Sequence, residues 1–199
     1  MFSSKEIVLT LPDADIKYYP NIFSQTEAQT FYNSILNETN WQQDDITVFG
    51  KTYAQPRLTA LFANNRLPYT YSNITMHPEQ FTDTLLQIKS KIELKTEVKF
   101  TTCLANLYRD GNDSNGWHAD NEKELGKNPI IASVTLGAAR NFNLKHKKNK
   151  ALKQKLLLEH GSLLLMQGQT QDHWLHQIAK TRKLVKPRIN LTFRRIIKL

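Results

Sequence analysis

The segment WHADNE sets His118 and Asp120 two residues apart, and DHWLHQ carries His173 and His176. On a strand or an extended loop, a spacing of two sends both side chains to the same side. An imidazole and a carboxylate from the first segment can therefore meet an imidazole from the second. Two histidines and one carboxylate on one face make the ligand set of mononuclear non-haem Fe(II) oxygenases, which keep coordination positions open for a cosubstrate and O2. By residue type alone, either histidine of the second segment fills the remaining place. The single cysteine, Cys103, rules out thiolate-based zinc and iron–sulfur sites and any internal disulfide. It also fits a reducing compartment.

Near the C-terminus, PRINLTFRR alternates in type. As a strand it carries Ile189, Leu191 and Phe193 on one face and Arg188, Asn190, Thr192 and Arg194 on the other. With the apolar face in a core, the polar face meets either water or a buried anion. An Fe(II) oxygenase that uses 2-oxoglutarate needs a cation for the distal carboxylate of that cosubstrate. Arginine suits the task because its planar fork binds carboxylates through two parallel N–H groups.

These residues need elements to hold them. FSQTEAQTFYNSILNE opens with Ser24 and Glu27 at capping-box spacing and continues with Ala28, Phe31 and Ile35 at helical period, which predicts a helix over 25–37. HPEQFTDTLLQIKSKIEL has Pro78 in a first turn and Phe81, Leu85, Ile88 and Ile92 on one face, which predicts a second helix over 78–93. After Val98 the chain reads as short strands: KFTTCLANLY, IIASVTLG, RNFNLKH, KLLLEH, SLLLMQ, HWLHQIA and RINLTFRR. Two helices followed by a run of strands indicate an α+β fold with helices packed on a sandwich or barrel.

A chain of 199 residues suits one domain with a sizeable core. No apolar run approaches the roughly 20 residues of a membrane helix, and acidic residues interrupt MFSSKEIVLTLPDADI too early for a signal peptide. The expectation is an intracellular, non-secreted monomer without membrane contact, cytoplasmic in a bacterium and nuclear otherwise. Lys and Arg number 27 against 18 Asp and Glu, and the resulting +9 favours a polyanionic partner such as nucleic acid. The densest basic stretches are KHKKNKALKQK, read as a hairpin tip, and KTRKLVKPR.

NLYRDGNDSNGWHADNE, PIIASVTLGAARNFNLKHK, EHGSLLLMQGQTQDHWLHQI and PRINLTFRR together resemble the AlkB family. These are Fe(II)- and 2-oxoglutarate-dependent dioxygenases that reverse alkylation damage on nucleic-acid bases, and the likeness is closest to the DNA-repair demethylases. It runs from about Val48 to Ile196. It implies one domain over 1–199: N-terminal helices and a nucleotide-recognition lid over about 1–97, then a jelly-roll core, the double-stranded β-helix, over about 98–199.

Residue by residue, the resemblance makes His118, Asp120 and His176 the iron ligands and leaves His173 as a neighbour. Arg194 takes the distal carboxylate of 2-oxoglutarate, and Arg188 lines the site near the iron-bound end and Asp120. Asn106, Tyr108, Asn190 and Thr192 complete the cosubstrate wall. TVFGKTYAQPR resembles the hairpin that probes a duplex, with Val48 and Phe49 as apolar wedges, Gly50 at the turn and Arg57 as a further substrate contact. Tyr69 and Tyr71 of LPYTYSNIT match lid aromatics, and Glu122 matches a residue of the base-contacting segment. Two positions depart from the pattern. Asn121 stands where an acidic residue is common, which bears on base preference, and Ala179 stands where proline is common, which affects a turn.

With Fe(II), 2-oxoglutarate and O2, the implied reaction is oxidative demethylation of bases such as 1-methyladenine and 3-methylcytosine in DNA or RNA, releasing succinate, CO2 and formaldehyde. The alternatives are an oxygenase of the same type acting on RNA or protein, and a nucleic-acid-binding relative without turnover. Succinate release that depends on a methylated oligonucleotide separates them.

Overall fold

Ser24 starts the first helix as its spacing predicts. In the computed structural model, which describes residues 5–48, 50–65, 69–71 and 74–197, helix α1 spans Gln25–Glu38. The Glu27 amide donates to Ser24 Oγ at 3.2 Å, and the Ser24 amide donates to Glu27 Oε2 at 2.8 Å. Two of the N–H groups that a helix start leaves without partners are thereby satisfied. Ala28, Phe31 and Ile35 are buried on one face. Helix α2 spans Asp83–Thr96 and starts later than the expected residue 78. The reason lies outside the helix: Glu79 N–H donates to Leu61 O at 2.8 Å and Ala63 N–H donates to Glu79 O at 3.0 Å, so 78–79 are extended beside another strand. Thr82 is the actual cap, accepting from Leu85 N–H at 3.3 Å, and Leu85, Ile88 and Ile92 face inward as predicted.

The strands are β1 (Ile7–Leu9), β2 (Asp15–Tyr19), β3 (Asp45–Val48), β4 (Lys51–Ala54), β5 (Leu58–Ala63), β6 (Tyr69–Tyr71), β7 (Ile74–Met76), β8 (Thr102–Tyr108), β9 (Asn115–His118), β10 (Ile131–Gly137), β11 (Arg140–His146), β12 (Lys153–Leu158), β13 (Ser162–Gln167), β14 (Trp174–Ile178) and β15 (Arg188–Arg194). A short helix α3, Thr170–His173, leads into β14. The major sheet has the order β1-β2-β13-β10-β15-β8-β5, and the minor sheet β12-β11-β14-β9. The described pairings within both sheets are antiparallel. Two hairpins, β3-β4 and β6-β7, form small sheets of their own. Every strand expected after Val98 is present. The boundary expected near residue 98 is not a boundary of the sheet, because β1, β2 and β5 from the N-terminal half join the major sheet at both of its edges.

Alternation along the central strands divides the interior in two. Ile189, Leu191 and Phe193 of β15, with Cys103, Ala105 and Leu107 of β8, pack with α1 and α2 on one face of the major sheet. The opposite face of β15 carries Arg188, Asn190, Thr192 and Arg194, and all four are buried. The polar face of this strand therefore meets neither bulk water nor the apolar core. It lines a cavity closed by His118 and Asp120 from the end of β9 and by His176 and Phe142 from the minor sheet. Among the described residues, no helix is long and apolar enough to cross a membrane.

Candidate active site

β9 and β14 are antiparallel neighbours with His118 directly opposite His176. Directly opposed residues project to the same face, and the two rings stand with centroids 4.2 Å apart at 63°. Asp120 follows His118 by two residues and turns its carboxylate back toward the pair, with Oδ1 at 3.7 Å from His118 Nε2. The ligating atoms of His118, Asp120 and His176 all lie within 4.8 Å of one another.

The tautomer and the charges suit a metal. His118 Nδ1–H donates to Gly116 O at 2.8 Å, which leaves Nε2 as the bare nitrogen toward Asp120. Burial, reinforced by the neighbouring His118, pushes His176 down to about 3, and burial also lowers His118. Burial alone would raise Asp120, but Arg194 and the two histidines hold it at about 2. Two neutral imidazoles and one carboxylate are the protonation state that a divalent metal requires, and the donor set fits Fe(II). Two supports were not legible as site residues in the sequence. Gln171, on α3, accepts the Asp120 backbone N–H at 2.9 Å, and Phe142 stacks on His176 with centroids 5.0 Å apart.

His173 belongs to a different cluster, with Asp13 and His146. His146 Nδ1 accepts two backbone N–H groups, from Lys148 at 3.2 Å and Asn149 at 2.9 Å. Its proton therefore sits on Nε2, which faces Asp13 at 3.3 Å. A ring held in that tautomer has no lone pair left for a metal, so this cluster fastens the β11–β12 turn.

The arginine found beside Asp120 is not the one expected there. Arg194 Nη2 lies 2.9 Å from Asp120 Oδ1, so it is Arg194 and not Arg188 that stands beside the triad. Arg188 lies at the other end of the strand, where its guanidinium sits 5.1 Å over the Tyr108 ring and Nη2 donates to Thr135 Oγ1 at 2.9 Å. Its Nε and Nη1 are buried and find no partner among the described residues. Burial lowers Arg188 to about 10, which leaves it cationic near neutrality. A desolvated cation with two unused donors is a ready carboxylate site.

Asn190 and Thr192 line the same cavity but are bound to each other and to β10. Asn190 Nδ2 donates to Ser133 Oγ at 2.8 Å, and Thr192 Oγ1 donates to Asn190 Oδ1 at 3.1 Å. Asn106 and Tyr108 share this wall from β8, as their spacing predicts. Arg57 is buried rather than displayed to a substrate, and its Nε donates to Asn106 Oδ1 at 2.8 Å. Glu122 has a buried Oε2 without a partner among the described residues, and burial raises its pKa.

The hairpin expected around Gly50 is present. Val48 pairs with Lys51, and Gly50 has φ +74°. Phe49 lies outside the described residues. Tyr69 and Tyr71 both fall on β6, paired with Met76 and Ile74.

The chain matches the model of the 2OG-Fe(II) oxygenase superfamily over residues 15–194. It is 40% identical over 191 residues to the alpha-ketoglutarate-dependent dioxygenase alkB homolog 3 of Bos taurus, covering 89% of this chain and 64% of that protein. It is 34% identical over 189 residues to the DNA oxidative demethylase ALKBH2 of Homo sapiens, covering 90% of this chain and 72% of that protein. It spans 63% to 65% of the length of the four alkB homolog 3 relatives. In fold it resembles the structure of OsALKBH1, with TM-score 0.67 at 16% identity, over 96% of this chain and 100% of that one. A prolyl hydroxylase of Trichoplax adhaerens gives TM-score 0.65 at 11% identity, over 91% of this chain and 83% of that one.

Proposed function

The chain belongs to the AlkB branch of the 2OG-Fe(II) oxygenase superfamily, and on that basis we propose that it removes methyl groups oxidatively from alkylated bases in nucleic acid. One observation carries the reading: the His118–Asp120–His176 triad shares a single buried cavity with Arg188, whose Nε and Nη1 have no partner among the described residues. Fe(II) held by the triad supplies activation of O2, coupled to conversion of 2-oxoglutarate to succinate and CO2, and the oxidised methyl group leaves the base as formaldehyde.

The chain's own residues do the holding. His118, Asp120 and His176 bind the metal. Arg188 takes the distal carboxylate of 2-oxoglutarate through Nε and Nη1, while Asn106 and Tyr108 flank the cosubstrate. Arg194 keeps Asp120 ionised against its burial. Glu122 offers its unpartnered Oε2 to the exocyclic amino group of an extruded adenine or cytosine. On the resemblance alone, Val48 and Phe49 fill the space the base vacates, and Tyr69 and Tyr71 close over it. Bases methylated at a Watson–Crick nitrogen, 1-methyladenine and 3-methylcytosine, are cationic, which favours an aromatic lid. All of these residues come from one chain, so a monomer suffices, working wherever the nucleic acid is: the cytoplasm of a bacterium or a nucleus.

The two basic stretches support a polyanionic substrate. Lys155 from the first and Lys180 and Lys183 from the second line one cleft with Asn141 and Asn143, a suitable footing for backbone phosphates.

The test is release of succinate and formaldehyde with methylated single- and double-stranded oligonucleotides. Wild type should release both only when the oligonucleotide is methylated. His118→Ala and Asp120→Ala should abolish release while the fold survives, because two ligands do not hold iron in place. Repair by either variant at the wild-type level would remove the triad from the mechanism. Absence of succinate from the wild type under every condition would leave a nucleic-acid binder without turnover.

A further inference from the structure

Arg57 is a buried cation that no described ion pair neutralises. Its hydrogen bonds among the described residues go to Asn106 Oδ1, from Nε at 2.8 Å, and to Ser114 O, from Nη1 at 3.4 Å. A guanidinium removed from water without a carboxylate is costly unless its donors are used. What those donors accomplish is visible at Asn106, which is itself buried and lines the cosubstrate cavity. A carboxamide has an acceptor end and a donor end. Arg57 can only donate, so it commits the acceptor end of Asn106. Turning the amide over would set N–H against N–H. The donor end, Nδ2, reaches only Leu104 O at 3.5 Å, the outer limit of a hydrogen bond. Nδ2 is therefore available to an anion in the cavity.

The backbone around Arg57 is fixed as well. Arg57 N–H donates to Gln55 O at 2.8 Å, and Ser114 N–H donates to Pro56 O at 2.8 Å. Ser114 directly precedes β9, the strand that ends in His118. The backbone that carries Arg57 is thus tied to the segment that leads into β9.

We propose that Arg57 is a positioning residue that fixes the Asn106 amide with Nδ2 toward 2-oxoglutarate, and so sets cosubstrate affinity without touching the cosubstrate. This rests on the cavity being the 2-oxoglutarate site. Arg57 then acts on the cosubstrate only through Asn106.

Calorimetric binding of 2-oxoglutarate to protein loaded with Mn(II), without oxygen, reads this directly. Wild type should bind. Arg57→Met, similar in length but without donors, should weaken binding about fivefold, the size of one disordered hydrogen bond. Arg57→Lys, which keeps a donor, should recover part of the loss. The decisive comparison is Asn106→Ala against Asn106→Ala/Arg57→Met, which should bind alike. In turnover, Arg57→Met should raise the KM for 2-oxoglutarate and leave kcat at saturation within about twofold. If Arg57→Met does not fold, the same comparisons are made with Arg57→Lys. A lowered thermal midpoint with unchanged 2-oxoglutarate affinity overturns the proposal, since Arg57 would then only pack. A further loss on the Asn106→Ala background also overturns it, since Arg57 would then act independently of Asn106. Failure of the wild type to bind 2-oxoglutarate would instead bring down the assignment of the cavity, and the proposal with it.

Discussion

Arg188 and Arg194 are the same residue on the same face of the same strand, yet they do different things. The alternation of PRINLTFRR places both in the interior, and that much is legible in the sequence. Which of them meets the metal ligands is not. Six residues of strand span about 20 Å, so the two ends lie in different surroundings, set by pairing with β8 and β10 and by where the minor sheet crosses. Register puts Arg194 opposite Thr102 and Arg188 opposite Tyr108, and only the assembled sheets bring Asp120 to the Arg194 end. The consequence is measurable. Arg188→Lys keeps the charge but loses the planar fork, and should raise the 2-oxoglutarate requirement by about 1.5–3 kcal/mol, the range for a hydrogen bond to a charged group. Arg194→Met should instead weaken metal retention, because Asp120 loses the cation that opposes its burial. Titrations of 2-oxoglutarate and of Mn(II) on both variants separate the roles. Equal effects of the two substitutions on both titrations would contradict the division.

At the scale of elements, legibility follows how local the deciding interaction is. The start of α1 is written within four residues: Ser24 and Glu27 satisfy each other. The start of α2 depends on Pro78 and Glu79 being drawn beside β5, which no helical period contains. Strands β1 and β2 are similar: β1 is three residues long, and its place comes from β2 and β13, the latter more than 140 residues away. The cap of α1 also carries a pH dependence. The Ser24 backbone N–H, and then Lys91 at 2.9 Å, hold Glu27 at about 2, below its ordinary 4.5. A depressed carboxylate stabilises the folded state fully above its unfolded value and loses that contribution as pH falls through the folded one. The contribution of Glu27, which also ties α1 to α2 through Lys91, should therefore fade between about pH 4.5 and 2. Thermal melts should show a steeper acid decline for wild type than for Glu27→Gln over that window. Ser24→Ala should cost about 1 kcal/mol at neutral pH. Parallel acid curves for wild type and Glu27→Gln would mean that ionisation of Glu27, and with it the Lys91 pair, contributes nothing to stability.

Across the whole molecule, a net charge of +9 says only that a polyanion is welcome. Folding makes the statement specific. KHKKNKALKQK, which runs into β12, and KTRKLVKPR are separated in sequence by β13 and β14, and neither alone is more than a solvated run of lysines. Pairing of β11 with both β12 and β14 brings them to opposite sides of one cleft, so that Lys155 meets Lys180 and Lys183 around Asn141 and Asn143. On the outer face of the same sheet, Lys145 sits 4.3 Å over the partly exposed Trp117 ring. Cations that hold phosphates release counterions when nucleic acid binds, and each contact adds about 0.9 for duplex DNA, or about 0.7 for a single strand, to the slope of log affinity against log salt. Lys180→Glu together with Lys183→Glu should therefore weaken oligonucleotide binding for every sequence alike and flatten the salt slope by about 1.4 to 1.8 if both contact phosphates. The 2-oxoglutarate titration should not move, because the cleft lies on different side chains from those that line the cavity. Affinity measured at several salt concentrations distinguishes a phosphate footing from general basicity. A uniform loss of affinity with an unchanged slope would assign these lysines to long-range attraction only, and the phosphates would then have to be held elsewhere on the molecule.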